Sequence, residues 1–368
     1  MAGLGSPYMT SSPVGPDHPP RLFLFVTTLA VIVSVVWSGF EILDARGSLP
    51  VSAGIEPPPG VPLYTTVLSL TDAASDGRTW YLLDGQAMAV HRIVADSGVV
   101  GSFGRRGPGP GEFLDPQALT VHGDTVVVAE RDGGLSLFDL SGRHLLDRNP
   151  ASGGCIAPGT AQLASTRGGL VLLTVCMVDG MALEARLLLL SPSGSVQSLA
   201  ISRTNRSTDG LLDPYFVPVI AAADRDVAFG LVGDTCITRF GLQGDTLGSI
   251  CHDWLERLPL PANELRDLER LQERAAAAGG RLAMPTRLPP FERIFRDPDG
   301  TMHYRVPARG VSGASTLRWE EPDGTRGSLD LPGAAHLFVH DGIALLAWSD
   351  LEGTRIGFRP VGTRPPHD

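Results

Sequence analysis

Four cysteines and nine histidines are the side chains of this 368-residue chain with most scope for chemistry. Cys155, Cys176, Cys236 and Cys251 form an even set, and none stands in C-x-x-C spacing, which argues against a zinc ribbon or a thioredoxin-like site. Around the second pair the chain reads DTCITRFGLQGDTLGSICHD. With Gln243-Gly244 as a two-residue hairpin turn, Cys236 faces Cys251, and cross-strand partners about 4.5–5.5 Å apart are within reach of a disulfide. Cys155 and Cys176 flank another turn, Arg167-Gly168-Gly169, in a looser register. Buried free thiols are the alternative for both pairs. His336 and His340 have a metal spacing for a helix, but they fall in a stretch that reads as a strand, where i and i+4 lie about 13 Å apart. His252-Asp253 and His340-Asp341 read as solvated or structural strand-end pairs. No G-x-S-x-G elbow is present, and there is no lysine, which excludes Schiff-base and P-loop chemistry. Gly104-Arg105-Arg106-Gly107 has an anion-cradle look, but it lacks G-K-[ST] and no helix follows. It reads as a connector, with Arg105 and Arg106 as candidate contacts to a partner's carboxylates. No catalytic, cofactor-binding or metal-binding residue is expected, and no cofactor.

The elements that must position these residues are clearest from Gly101 to Arg143. The Gly/Pro-rich loop Gly104–Gly111 cannot lie inside a helix or strand. After Pro116 come the apolar residues Ala118, Leu119 and Val121, the turn His122-Gly123-Asp124, and the β-branched run Val126–Val128. A second turn at Arg131–Gly134 leads to Leu135–Phe138, and a third follows at Leu140–Arg143. Four short strands separated by glycine turns within about 45 residues are the unit of a β-propeller blade.

This stretch resembles an NHL-type propeller repeat at Phe103-Gly104, Gly107, Gly109, Gly111-Glu112-Phe113, Pro116, Val127-Val128, Phe138-Asp139 and Gly142. The resemblance implies that the glycine-rich loop carries the chain from the outer strand of one blade into the inner strand of the next. The chain departs from the pattern at Glu130, where the repeat usually has Asp, and at Leu135-Ser136, where it usually has Asn-Arg.

Comparable turn signals recur along the chain. Blade one reads as Thr65–Leu70, Arg78–Leu83, Ala87–Val94 and Val99–Phe103; blade three runs from Ala161 to Leu199 and blade four from Val217 to Cys251. Blade five starts at Phe291, and blade six, from Ala335 to Arg359, lacks a fourth strand that residues just after the linker would supply. Between blades four and five, Pro261–Ala278 places Leu265, Leu268, Leu271 and Ala275 at helical spacing, with Gly279-Gly280 as a C-cap. This helical insertion, residues 253–288, reads either as a strut packed on its own propeller or as a docking element through Leu265, Leu268 and Leu271. Six blades leave roughly 44 residues each, within the usual range, whereas seven would leave about 38. The fold class expected is an all-β, six-bladed propeller over residues 63–368, with one N-terminal transmembrane helix.

That helix is expected at residues 21–43, after a disordered cytoplasmic tail at 1–20 and before a Pro/Gly-rich linker at 44–62. Leu22–Phe40 carries no charge and would reach about 28 Å, close to the hydrocarbon thickness of a bilayer. Arg21, Leu22, Trp37 and Phe40 mark the anchor, and a cleaved signal peptide is the alternative. Disulfides would put the propeller outside the cytoplasm, so the expected topology is single-pass in the inner (cytoplasmic) membrane with a periplasmic propeller.

The net charge of −10 offers no footprint for nucleic acid. The function expected is a non-enzymatic, membrane-anchored scaffold or accessory subunit. Its partners would be membrane lipid, through one helix, and another membrane protein or complex. The alternative is a periplasmic propeller enzyme or ligand-binding protein, a lactonase-like hydrolase, with a site on the axis. Six-bladed propellers of the gluconolactonase type, which this fold resembles, hold calcium with Asp/Glu and Asn side chains. Here the only asparagines are Asn149, Asn205 and Asn263, two in loops and one in the helix, so a site of that type is not expected.

Overall fold

The short strands marked out by the turn signals gather into six four-stranded antiparallel sheets in the computed structural model, which describes residues 63–361 apart from 65, 95–96, 151–155, 179–181, 204–210, 213–216, 278–280, 308–314, 332–335 and 351–352. Strand β1 (Leu63–Tyr64) precedes blade I, which holds β2 (Leu70–Ser75), β3 (Thr79–Asp84), β4 (Ala89–Val94) and β5 (Gly98–Phe103). Blade II holds β6 (Pro116–His122), β7 (Thr125–Glu130), β8 (Leu135–Asp139) and β9 (His144–Arg148). Blade III holds β10 (Ile156–Thr166), β11 (Gly169–Val178), β12 (Ala182–Leu190) and β13 (Val196–Arg203), and β14 (Leu211–Leu212) follows outside it. Blade IV holds β15 (Pro218–Ala223), β16 (Asp226–Leu231), β17 (Cys236–Gly241) and β18 (Thr246–Cys251). After helix α1 (Ala262–Ala277) and β19 (Arg281–Leu282), blade V holds β20 (Arg293–Arg296), β21 (Met302–Pro307), β22 (Ser315–Glu320) and β23 (Arg326–Leu331). Blade VI holds β24 (His336–His340), β25 (Ile343–Asp350) and β26 (Gly353–Pro360).

The expected closure is present: β1 lies against β26, with Leu63 facing Arg355 and Tyr64 facing Thr354. One strand from the far end of the sequence thus completes blade VI and removes an open edge. The first strands β2, β6, β10, β15, β20 and β24 stand next to one another around the axis. Inner sheets are covered on both faces, so their strands are apolar runs rather than alternations. Trp80–Leu83 and Val126–Ala129 are buried throughout. Among the described residues the core divides into six apolar clusters, one at each blade-to-blade seam.

One turn recurs between third and fourth strands in blades II to V. The pairs Asp139/Arg143, Ser191/Ser195, Gly241/Asp245 and Glu321/Thr325 are each closed by an N–H···O bond, with glycine at the fourth position in the left-handed region. This three-residue loop with its bulge corrects the two-residue turn expected at Gln243-Gly244. The cysteine register survives, because the one-residue shift between Arg239 and Phe240 restores it and Cys236 still faces Cys251. The two are joined by a disulfide. Cys176 is also disulfide-bonded, and its expected partner Cys155 lies outside the described residues.

The first strand of blade I lies later than expected, at Leu70–Ser75 rather than Thr65–Leu70. The carboxylate of Asp84 accepts the N–H groups of Leu68 (2.6 Å) and Ser69 (3.2 Å), which fixes that stretch as a connection. Glu130 does the same in blade II, accepting from Asp115 at 2.7 Å and from Leu114. The Glu that departs from the NHL pattern therefore fills the same structural place as Asp84. The glycine-rich loop is a connector, as read. Glu112 accepts the Gly109 N–H and pairs with Arg105, while the loop wraps the fully buried Phe113.

The insertion leaves after β18 and returns along itself, with Leu288 N–H donating to the Leu258 carbonyl. Strand β19 lies parallel to β14, and the Gln272 amide oxygen accepts the Leu282 N–H at 2.6 Å. Leu268 and Leu271 are buried, which gives the helix the strut role along that stripe. Its expected C-cap at Gly279-Gly280 lies outside the described residues.

The transmembrane expectation is corrected. Among the described residues no helix is long and apolar enough to cross a membrane. Helix α1 is 16 residues long and carries Glu264, Arg266, Asp267, Glu269 and Arg270. The stretch 21–43, with Arg21, Leu22, Trp37 and Phe40, lies outside the described residues, as do the tail at 1–20 and the linker at 44–62. The membrane anchor, the lipid contact, the membrane complex and the single-pass inner-membrane topology with a periplasmic propeller are withdrawn with that helix.

Gly104 has φ +79, and a Cβ there would sit 2.2 Å from the Phe113 ring. Gly104→Ala is expected to cost roughly 2–4 kcal/mol of unfolding free energy through backbone strain and overpacking. Gly123→Ala, at φ +55 in open space, is expected to cost only about 1–2 kcal/mol. Urea midpoints of the two variants check this, and equal losses would show that the Phe113 contact is not tight.

Candidate functional site

Several of the first strands carry small residues. Ala73 and Ala74 in blade I, Ala164 in blade III and Ala221–Ala223 in blade IV leave a cavity of ≈ 280 Å³ along the axis. All six blades line it, and the part of its wall from blades V and VI carries Arg293, Phe295, Arg296, Phe338 and His340.

Arg293 organises that wall. Its guanidinium lies 4.7 Å from the centroid of the Phe338 ring and 5.7 Å from that of Phe295. Its Nη2 donates to Asp72 Oδ1 at 2.8 Å, while Asp72 Oδ2 accepts the Leu119 N–H at 2.8 Å. Burial pushes the Asp72 carboxyl up, and Arg293 and the Leu119 N–H oppose that. The contact passes in front of blade VI to join blade V to blade I. Elsewhere the wall is stitched between neighbours. His122 Nδ1 and Ser165 Oγ are 2.9 Å apart, and Gln162 Oε1 accepts the Ile220 N–H at 2.7 Å. Asp226 pairs with Arg296 and with Arg239 (Nε···Oδ2 2.8 Å). Asp297 Oδ2 accepts from Gly342 N–H at 3.0 Å and lies 2.8 Å from His303 Nε2.

The expected histidine pairs are placed differently from one another. His336 and His340 stand at opposite ends of β24, and of the two only His340 lines the cavity. Burial drives the His336 imidazole down to about 3, with Arg305 and Arg293 adding to the effect, so it is neutral. His340 is also lowered by burial, against the pull of Asp297, Asp341 and Asp76. His252 lies away from the channel, fully buried at the seam of blades IV and V with its ring 4.4 Å from that of Tyr304. Burial lowers it to about 4, opposed by Glu320. Among the described residues no group of three or more His, Cys, Asp or Glu side chains has a metal-holding arrangement.

The expected partner contacts divide. Arg105, 80% exposed, is ion-paired with Glu112, and Arg106 is exposed. Leu265 is exposed, whereas Leu268 and Leu271 are covered by their own chain. Asp72, Gln162, Arg293 and Phe338 were not singled out in the sequence. The one sequence feature near them is the run of alanines at 221–223, which starts at the last residue of the strand expected over Val217–Ala221.

No family model matches this chain, and no curated protein matches it. The NHL-type resemblance of Gly101–Arg143 therefore goes no further than the blade. Solved structures similar in fold include the luciferin-regenerating enzyme (TM-score 0.48, 9% identity, 82% of this chain and 95% of that one). The RRP9 WD40 repeats (TM-score 0.48, 12% identity, 85% and 99%) and a streptogramin B lyase (TM-score 0.42, 12% identity, 82% and 86%) are others. The likeness concerns the propeller fold alone.

Two buried neutral imidazoles set a pH dependence. Both His252 and His336 titrate lower in the folded chain than the ordinary 6.5, so the unfolded chain binds more protons between those values. Their contribution is complete above about pH 6.5 and is lost as pH falls towards 4 and then 3, at up to about 1.4 kcal/mol per pH unit for each group. Urea midpoints from pH 7.5 to 4.5 are expected to fall, and to fall less steeply in His252→Phe and His336→Asn. Unchanged slopes in both variants would refute the assignment.

Proposed function

We propose that this propeller is a binding protein whose axial channel receives a small ligand. The observation that carries the reading is the asymmetry of the channel. Small side chains on blades I, III and IV hold open ≈ 280 Å³ beside a guanidinium of blade V stacked on phenyl rings of blades V and VI. That volume is near the lower end of small-molecule sites, and the combination of an apolar lining with a few placed polar groups is typical of them.

Protein binding is supported by a separate observation. Antiparallel four-stranded blades put the connection from a fourth strand to the next first strand at one face, and among the described residues three such connections expose apolar side chains. These connections carry Leu68 (44% exposed), Leu114 (61%), Leu265 (38%) and Met284 (40%), together with the exposed Arg105 and Arg106. A scaffold role would use this face and leave the channel aside.

A fragment screen by saturation-transfer NMR separates the two readings. Fragments are expected to bind the wild type and to be lost in Ala73→Leu and Ala222→Leu, which fill the cavity from opposite blades. Unaltered binding in both folded variants would overturn the channel reading. Loss of a co-sedimenting partner in Leu114→Asp, with fragment binding absent throughout, would favour the scaffold.

A further inference from the structure

The donors and acceptors of the channel are unequally spent. Asp72, the buried carboxylate of its lining, uses one oxygen on Arg293 and the other on the Leu119 N–H. The guanidinium of Arg293 has five N–H donors, and among the described residues only Nη2 has a hydrogen-bond partner. The side chain is 28% exposed and lines the cavity, and neither Nε nor Nη1 is sealed in the wall. Its ring contacts with Phe338 and Phe295 cover the guanidinium face and leave the edge free.

Gln162, on blade III, has the same imbalance. Its orientation is fixed chemically, because the Ile220 N–H at 2.7 Å requires an acceptor and therefore the amide oxygen. The Nε2 donors then have no partner among the described residues, and this side chain also lines the cavity. The neighbouring acids are spoken for. Asp226 is shared by Arg296 and Arg239, so Asp72 and Asp226 together face three guanidinium groups. The lining itself carries Asp72, Asp224, Arg293 and Arg296, so its formal charges balance, and what stands unspent on it is hydrogen-bond donors.

We propose that the ligand of the axial channel is a small monocarboxylate, its two oxygens taken by the free edge of Arg293 and its flat or apolar body lying over Phe295 and the alanines. The proposal rests on the channel reading above. A planar fork suits a carboxylate, and the phenyl rings and alanines beside it suit an organic body, which inorganic phosphate lacks.

The test uses the whole chain with sodium benzoate, benzamide, benzylamine and inorganic phosphate, titrated by calorimetry or ligand-observed NMR. Benzoate is expected to bind at least tenfold more tightly than benzamide, with benzylamine and phosphate weaker still. Gln162→Glu keeps an oxygen for the Ile220 N–H but turns the cavity-facing donor into a negative acceptor. It is expected to weaken benzoate at least tenfold and to leave benzamide unchanged. Arg293→Lys keeps the charge and loses the fork, and is expected to weaken benzoate severalfold. Equal binding of benzoate and benzamide, a preference for benzylamine or phosphate, or indifference to Gln162→Glu would overturn the carboxylate assignment. If neutral fragments still occupied the channel, the channel reading would stand without it; if nothing bound there, both would fall.

Discussion

The carboxylate of Asp72 is the point through which this ring of blades is tied across its own axis. It takes a backbone N–H from blade II and a guanidinium from blade V, and the guanidinium rests on a phenyl ring of blade VI. Four of the six blades meet there. Apolar packing at the seams supplies the bulk of the stability, but it is non-directional and does not by itself fix the angle between neighbouring sheets. The polar contacts at the inner strands do: Asp72 with Leu119, His122 with Ser165, Gln162 with Ile220, Asp226 with Arg296, and Asp297 with Gly342. A buried carboxylate left without its partner would cost about 3–5 kcal/mol, so the strap is strongly coupled to the fold.

What could be read in advance follows from range. Turns are local, and glycine at the fourth loop position announces them, so the six blades, the closing strand and the insertion were all legible. The Cys236–Cys251 register is instructive because it was reached through the wrong turn. The real loop is one residue longer, and a bulge beyond Arg239 takes the extra residue back. Strand pairing therefore depends on the sum of turn and bulge, and only the former has a visible residue signature.

The channel was not legible for the same reason inverted. Asp72 and Arg293 are 221 residues apart, and nothing in either neighbourhood names the other. Leu268 and Leu271 show a related limit. A helical apolar stripe announces that something will cover it without saying whether that is a partner or the chain's own insertion, and here it is the chain's own fold. Glu130 shows the converse: an apparent departure from a repeat pattern proved conservative, because the longer carboxylate still reaches the Leu114 and Asp115 N–H groups.

A structural strap and a binding group need not compete for the same side chain. Were Arg293 held bidentate by Asp72, one whole edge of its guanidinium would be spent on the wall and Asp72 would have less to give the Leu119 N–H. Held through Nη2 alone, and pinned over Phe338, it is fixed in orientation while its remaining edge stays unspent. Ordering a long flexible side chain on binding costs about 0.5–1.5 kcal/mol, and here that cost falls on folding instead. The Gln162 amide repeats the arrangement on blade III, where its oxygen is committed to the seam and its nitrogen is left to the cavity. In both residues one end of the group holds the ring together, and that attachment is what aims the other end into the channel.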